Sequence, residues 1–218
     1  MTTTTQTQPE GTCWHFLNAN KCHTTERGRN VKISEALTAA GEYEFYNQGG
    51  HASPKALDAL GYARGPVACL ITLSGHGDKT EIAQERTVLW MHDATRLLRE
   101  FACNTATDAL DAERIWEPDP RSVKAIEVAR QYAKGEATDE EREKARTEAQ
   151  RAQWLAESVS RDVANAAQSA YMATHPEAEV AARHSAIMAS AYSSDVRNQQ
   201  YEMLTNMLLA EYEKDKTK

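Results

Sequence analysis

The chain has 218 residues, of which 41% are hydrophobic and 26% are charged, and its formal net charge is −7. These values are ordinary for a globular protein, and no apolar run reaches the ~18 residues that a membrane-spanning helix needs. The first residues lack the basic and apolar regions of a secretory signal, and the acidic balance excludes a general nucleic-acid binder.

Glycine and alanine concentrate in different halves of the chain. Nine of the ten glycines lie at or before Gly77, whereas 20 alanines lie among the 98 residues from 121 to 218. Because glycine permits tight turns and alanine favours helices, the sequence predicts strands joined by turns, followed by long helices. Pro118 and Pro120 disfavour helix before them, so the boundary between the two modules is predicted there.

We therefore predict an α+β fold. A polar tail over 1–11 precedes a module over 12–115 built from a small mixed sheet and two helices, and an all-α helical hairpin module follows over 119–214. Alternating or apolar runs predict the strands, at 13–17, 31–33, 42–45, 67–73 and 86–90. The run at 67–73 has no polar alternation before Thr72, which is typical of a central strand buried on both faces.

Capping signals mark the predicted helix starts. The signal is a small polar N-cap residue, followed by proline or, three residues later, by glutamate. It occurs at Ser53-Pro54, Asp119-Pro120 and Thr138 with Glu141, and Asp93 is a further predicted N-cap residue without the second part of the signal. The helix that Ser53 opens is predicted to run through Leu60. The helix that Asp119 opens is predicted to end at Gly135, a residue suited to the left-handed conformation after a helix.

The helix that Thr138 opens is predicted to continue to Thr174. Its charged stretch 142–151 is expected to be a solvated face with ion pairs four residues apart. Its narrow apolar stripe comprises Leu155, Val159, Val163, Ala167 and Ala170. Two later segments keep a spacing of three or four, with Val180, His184, Ile187 and Ala191, then Val196, Gln200, Met203, Met207 and Ala210. A helical hairpin whose apolar stripe is this narrow buries little surface by itself. It must therefore pack on the first module, on another subunit, or on both.

One cluster combines residue types that ligate zinc: Cys13, His15, Cys22 and His23. Its spacing matches no common zinc finger, and strand geometry puts Cys13 and His15 on one face, so we predict no metal site. Cys69 and Cys103 lie in apolar runs and are expected to be buried free thiols. Four scattered cysteines without a secretory signal indicate a reducing compartment.

His51 is the first candidate for a ligand-facing residue, because it follows two glycines and precedes Ser53 at a predicted helix start. Ser53 is a second candidate, and His15 and Glu85 are candidates too. Asp58 and Tyr62 complete the set, since residues four apart on a helix share one face. The alternative is structural: the His-Ala-Ser-Pro turn only fixes a corner, Asp58 lies at the surface and Tyr62 lies in the core.

The first module carries short blocks in a fixed order: Trp14-His15-Phe16-Leu17, Gly50-His51-Ala52-Ser53, Leu57-Asp58-Ala59-Leu60 with Tyr62-Ala63 and Gly65, Asp78-Lys79, Glu85-Arg86-Thr87-Val88-Leu89-Trp90 and Asp93-Ala94. In this order the blocks resemble a family of uncharacterised proteins encoded by bacteriophages and prophages. The resemblance covers residues 13–115, and the helical half is similar only in composition and architecture. It implies a phage protein of the host cytoplasm or virion, and it implies no activity. Gly49-Gly50 departs from the single glycine usual there, and Cys22-His23 lies in a variable region.

The sequence thus favours a phage-encoded protein that acts by protein–protein interaction, as a virion component or as an accessory factor that contacts a host protein. We expect a protein partner, or self-association through the C-terminal helices. We expect no cofactor, no general nucleic-acid binding and no membrane contact. Whether the chain is an enzyme stays open on the sequence.

Two alternatives come from other classes of protein. The first is an enzyme similar to ADP-ribosyltransferases, which hold NAD with a first-strand histidine, a central aromatic residue and a late glutamate. His15, Tyr62 and Glu85 (or Glu81) follow that order, although Gln84-Glu85 only approximates the usual ending. The second is an anti-defence or immunity-like inhibitor, whose acidic surface would cover a basic site on a host effector.

Overall fold

The computed structural model describes residues 7–20, 36–38, 52–76, 83–113, 116–191 and 193–217. In these residues the strands are β1 (Thr12–Leu17), β2 (Ala36–Thr38), β3 (Val67–His76) and β4 (Ala83–Asp93). The helices are α1 (Ala56–Leu60), α2 (Thr95–Ala112), α3 (Pro120–Ala133), α4 (Asp139–Ala156), α5 (Arg161–Ala173), α6 (Ala178–Ala189) and α7 (Ser194–Lys216). The predicted α+β class with a helical C-terminal half is confirmed, and the strands predicted at 31–33 and 42–45 lie outside the described residues.

The sheet has the strand order β1-β3-β4-β2, and each neighbouring pair is antiparallel. The expectation of a mixed sheet was therefore wrong for the described strands. Only six residues, 77–82, separate β3 from β4, whereas a parallel crossover needs a dozen or more. The central position predicted for β3 is confirmed, because Val67 to Ile71 are buried on both faces of the strand.

The corner before α1 differs from the sequence prediction. Ser53 was expected to be the N-cap, but α1 begins at Ala56 with Lys55 at the N-cap position. The backbone of Ser53 is bridged to Trp14 of β1 by two hydrogen bonds of 2.7 and 3.0 Å, so Ser53 extends the sheet instead. Its hydroxyl accepts a hydrogen bond from the Lys55 amide at 3.2 Å.

The chain forms two compact units, which differ from the two predicted modules. Unit 1 comprises Met1–Ala94 and Tyr201–Lys218, and unit 2 comprises Thr95–Gln200. The predicted boundary at Pro118 and Pro120 lies inside unit 2. Pro120 begins α3, whereas α2 already ends at Ala112, before either proline. Because α2 and α3 share one core, the break between these helices is not a break in the packing.

The core of unit 2 is built mostly from alanine. Eight of the eleven residues of its largest buried cluster are alanines, contributed by α2, α3, α5 and α6. Small side chains allow helix axes to approach closely, because the interaxial distance depends on the residues at the contact. Ser169 of α5 and Ser185 of α6 add a buried pair of reciprocal hydrogen bonds, in which each hydroxyl donates to the other residue's carbonyl at 3.0 Å.

The long helix predicted from Thr138 to Thr174 is two helices, α4 and α5. The capping box of Thr138 and Glu141 is confirmed. However, α4 ends at Ala156, and the Ser160 hydroxyl caps α5 by accepting a hydrogen bond from the Val163 amide at 3.1 Å. The predicted hairpin of two long helices is therefore wrong, because a second N-cap follows within the apolar stripe.

The residues buried in the last helices also differ from the predicted apolar stripe. In α7 the residues Leu204, Leu208 and Leu209 are buried, whereas Met203 and Met207 are partly exposed. In α6, Ile187 is 41% exposed and the small residues take the buried positions. Among the helices of the described residues, none is both long enough and apolar enough to span a membrane.

The charged stretch 142–151 was expected to be solvated, but part of it is buried. Arg142 is 6% exposed, and its guanidinium donates a hydrogen bond to the Thr174 carbonyl at 2.8 Å. Arg146 lies over the Tyr171 ring at 4.1 Å. The last carbonyls of α5 have no partner within their own helix, and long arginine side chains reach them while burying their aliphatic stems.

Candidate functional site

The structure separates the candidate residues of the first module. His51 lies outside the described residues. Asp58 accepts a hydrogen bond from the Tyr201 hydroxyl at 2.5 Å, whereas Tyr62 is 57% exposed and is not the core residue of the structural alternative. His15 is buried in β1, with its Cα opposite Cys69.

The sheet register does not bring His15 and Glu85 together. Glu85 of β4 pairs with Ser74 of β3 and with Thr38 of β2, while His15 is level with Cys69. The two Cα atoms are therefore about 16 Å apart along the strands and about 10 Å apart across them, or roughly 19 Å in all. Glu81 lies outside the described residues.

Unit 1 contains an aromatic cluster that the sequence did not reveal. The Trp90 ring meets Trp14 and Tyr212 edge to face, at 6.4 and 5.8 Å, and stacks on His92 at 5.4 Å. The Trp90 indole donates a hydrogen bond to Asp215 at 3.1 Å, and the same carboxylate oxygen lies 3.4 Å from His92 Nδ1. This cluster fixes the last turns of α7 in unit 1. It brings together residues far apart in sequence, which no local pattern could indicate.

A second cluster in unit 1 involves Tyr201, the first residue of α7 that belongs to this unit. Besides donating to Asp58, Tyr201 carries the Lys55 ammonium over its ring at 4.4 Å. Asp58 and Lys55 thus both bind Tyr201 and hold this part of α7 in unit 1. This contact favours a structural role for Asp58.

Unit 2 contains an open groove with a volume of about 410 Å³, which we call the apolar groove. One wall is the extended segment 116–120, and the other is the end of α4 with the turn that follows it. Its lining residues are Trp116, Glu117, Pro118, Asp119, Pro120, Ala152, Leu155, Ala156 and Val159.

Large apolar side chains are exposed at this place. Leu155 is 60% exposed and Val159 is 52% exposed, and the adjacent Trp154 is 59% exposed. Seven large hydrophobic side chains are exposed among the described residues, and three of them fall within 154–159. The break between α4 and α5 explains this, because it separates Leu155 and Val159 from Val163 and Ala167, which are buried.

The first wall of the groove is fixed by local interactions. Asp119 caps α3 by accepting a hydrogen bond from the Arg121 amide at 2.9 Å, and its carboxylate also binds the Arg121 guanidinium at 2.9 and 2.6 Å. These hydrogen bonds lower the pKa of Asp119. Trp116 packs against the buried cluster of Ala156, Val163 and Ala167. The groove is therefore present before any partner binds.

Two acidic residues line the groove, Glu117 and Asp119, and the carboxylate of Asp119 is paired with Arg121. Glu117 is exposed. Glu113 accepts a backbone hydrogen bond from Trp116, and its pKa is raised by burial and by the nearby charge of Asp162.

Neither metal binding nor thiol chemistry is indicated in the described residues. No three His, Cys, Asp or Glu side chains lie close enough there to hold a metal ion, while Cys22 and His23 of the zinc alternative lie outside. Cys69 and Cys103 are buried free thiols, as predicted. Burial raises the pKa of Cys103 to about 11, so its reactive thiolate form is disfavoured at neutral pH.

Comparisons with protein families, with curated proteins and with solved structures found no match to this chain.

Proposed function

We propose that the chain is a binding protein that acts by protein–protein contact through the apolar groove. The observation that carries the proposal is the exposure of Leu155 and Val159 beside a wall already fixed by Trp116 and Asp119. Contiguous apolar surface with a polar rim is a common feature of protein interaction sites. A preformed groove also lowers the entropy lost when a partner binds.

The biological setting that we propose follows the resemblance to phage-encoded proteins. A virion component or an accessory factor would use such a groove to hold a neighbouring protein. Among the alternatives, the NAD-dependent enzyme gains no support, because His15 and Glu85 are roughly 19 Å apart by the strand geometry. The inhibitor that covers a basic site is permitted by the net charge of −7 but gains no further support.

Site-specific photo-crosslinking tests the proposal. A benzoylphenylalanine placed at Leu155 should give a discrete crosslinked product in cells that contain the natural partner. The same probe at Ile187, which is 41% exposed and does not line the groove, is the matched control. A crosslink to a second copy would assign the groove to self-association, which light scattering would confirm. If Leu155 gives no discrete product, or the same products as Ile187, the proposal is wrong.

A further inference from the structure

We infer that residues 157–160, which connect α4 to α5, are a hinge through which two copies of this chain exchange segments. When the hinge opens, α4 and α5 join into one helix, and each copy supplies residues 161–218 to the other copy. Hinge opening goes beyond the proposed function and does not rest on it, because it concerns the connection between two helices rather than a partner held in the groove.

The break between α4 and α5 is confined to very few residues. Glu157 keeps helical backbone angles, with φ −59° and ψ −28°, and its amide donates to the Gln153 carbonyl at 3.2 Å. The Val159 amide donates to the Ala156 carbonyl at 2.9 Å, which is the tighter spacing of a 3₁₀ turn. Ser160 is extended, with φ −161° and ψ 165°. The extended conformation of one serine therefore turns the chain out of the helix.

The residue types of the hinge are all compatible with a continuous helix. The hinge reads Glu-Ser-Val-Ser and contains neither glycine nor proline. An apolar stripe with spacings of four, four, four and three passes through it, comprising Leu155, Val159, Val163, Ala167 and Ala170. In the structure this stripe is divided, because Leu155 and Val159 are exposed whereas the three later members are buried. A continuous helix would place all five residues on one face.

The two helices form an antiparallel pair, which is an arrangement that two copies can exchange. Arg142 near the start of α4 donates to the Thr174 carbonyl at the end of α5, and Ala156 at the end of α4 clusters with Val163. A single chain with an open hinge would lose these contacts and expose its alanine core to water. A second open copy restores every such contact between chains, because the exchanged segments are identical. The open form is therefore stable only as a dimer.

The closed and open forms differ at the hinge itself. The closed form gains the Ser160 cap, whose hydroxyl accepts a hydrogen bond from the Val163 amide at 3.1 Å. The open form gains helical hydrogen bonds across the hinge. Its two-fold axis passes near the hinge, so Leu155 and Val159 of one copy would meet the same residues of the other copy.

Hinge opening also changes the apolar groove. The joined helix would run from Asp139 to Ala173 and would be about 52 Å long, at about 1.5 Å per residue. The wall of the groove that consists of the end of α4 and the following turn would then no longer exist. The exchanged dimer and a partner in the groove would therefore exclude each other.

Refolding of the full chain from denaturant at a series of protein concentrations, followed by light scattering, tests the inference. We expect a dimer whose fraction rises with concentration. Arg161→Pro should weaken dimerisation by more than about 100-fold, because proline suits the first position of α5 but breaks a continuous helix. Ser160 already has the extended conformation that is preferred before proline. Arg161→Ala, which removes the same charge, is the matched control and should dimerise like the wild type.

Ser160→Ala should act in the opposite direction. It removes a cap that only the closed form uses, and it places a better helix former in the open helix. The cap contributes about fivefold to the equilibrium at each hinge, so the dimer should form at roughly 25-fold lower concentration. Circular dichroism checks that the variants are folded. If Ser160→Ala unfolds, the comparison of Arg161→Pro with Arg161→Ala decides the test alone.

Photo-crosslinking distinguishes an exchanged dimer from two closed chains side by side. The Gln150 amide of α4 lies 3.4 Å from the Tyr171 hydroxyl of α5. Benzoylphenylalanine at Gln150 should therefore crosslink α4 to α5. In an exchanged dimer this crosslink joins two chains, whereas in a side-by-side dimer it stays within one chain.

Three outcomes would overturn the hinge: a chain that is monomeric at every concentration, a dimer that persists in Arg161→Pro, and a dimer whose Gln150 crosslinks stay within one chain. None of them affects the proposed function, which stands if Leu155 crosslinks to a partner. Conversely, Arg161→Pro keeps the groove in every molecule. If that variant gives no discrete crosslink at Leu155 while the wild type forms the exchanged dimer, the proposed function is wrong and the hinge stands.

Discussion

The two compact units are stabilised by different kinds of side chain. Unit 1 packs Trp14 and Trp90 with leucines and other large residues around a sheet, and Asp215 joins this cluster through hydrogen bonds. The main helical cluster of unit 2 is mostly alanine and is supplemented by arginines bound to helix-end carbonyls. Small residues permit close helix packing but leave little apolar area to bury. In unit 2 the hydrogen bonds from arginines to helix-end carbonyls therefore carry a larger share of the stability than in unit 1.

The largest effect is expected in the aromatic cluster of unit 1. Trp90→Ala should lower the free energy of unfolding by about 3–5 kcal/mol, because it removes a buried ring with three aromatic neighbours. Denaturant unfolding followed by circular dichroism measures the change. Trp154→Ala is the control: its side chain is 59% exposed, so the change should stay within about 0.5 kcal/mol. Equal losses in the two variants would contradict the importance of the cluster.

The alanine core of unit 2 should respond to added rather than removed volume. Ala106 is fully buried in this core, and Ala106→Leu should cost about 1–3 kcal/mol because helices in close contact cannot accept three more carbons. Thermal unfolding measures the effect. The matched control is Ala112→Leu at the exposed end of the same helix, which should be nearly neutral. A stabilised Ala106→Leu would show that the core is loosely packed.

The arginine anchors distinguish unit 2 from unit 1 most directly. Arg142→Met keeps the aliphatic stem but removes the donor to the Thr174 carbonyl and the cation near the Tyr132 ring. We expect a loss of about 1–3 kcal/mol, because the end of α5 then has an unsatisfied buried carbonyl. Lys144→Met, on the exposed face of the same helix, is the control. An unchanged melting temperature for Arg142→Met would mean that water replaces the guanidinium without cost.

Local signals in the sequence predicted helix ends well. The Asp119 cap before Pro120, the capping box of Thr138 with Glu141, and Gly135 after α3 all depend on neighbours within a few residues, and all three are confirmed. These signals can be recognised from the sequence, because the unpaired backbone N–H and C=O groups that they hydrogen-bond belong to the same helical turn.

Features that depend on distant residues were missed or misplaced. The stripe through Leu155 and Val159 has helical spacing, but only tertiary packing decides which part of a stripe is covered. The burial of Arg142 depends on Thr174, which belongs to another helix. The apolar groove follows from the unpredicted break at Ser160, so the sequence pointed to the helical half but not to this place.

The smallest expected effect concerns a carboxylate in unit 2. Burial is the main cause of the raised pKa of Glu179 in α6, and the nearby Glu177 adds to it. A folded-state pKa above the unfolded value means that the ionised form destabilises the fold at neutral pH. This cost disappears as the pH falls through the folded pKa to below the unfolded value of about 4.3.

Glu179→Gln should therefore raise the melting temperature at pH 7 by no more than a few degrees, since about 1 kcal/mol corresponds to roughly 2–4 °C in a chain of this size. The difference between variant and wild type should shrink as the pH is lowered towards 4. Glu202→Gln, at an exposed position of α7 in unit 1, is the control and should show no such trend. A variant less stable than wild type at pH 7 would mean that attraction to Arg183 and Arg99 outweighs burial, and that unit 2 relies on this carboxylate as it relies on its arginines.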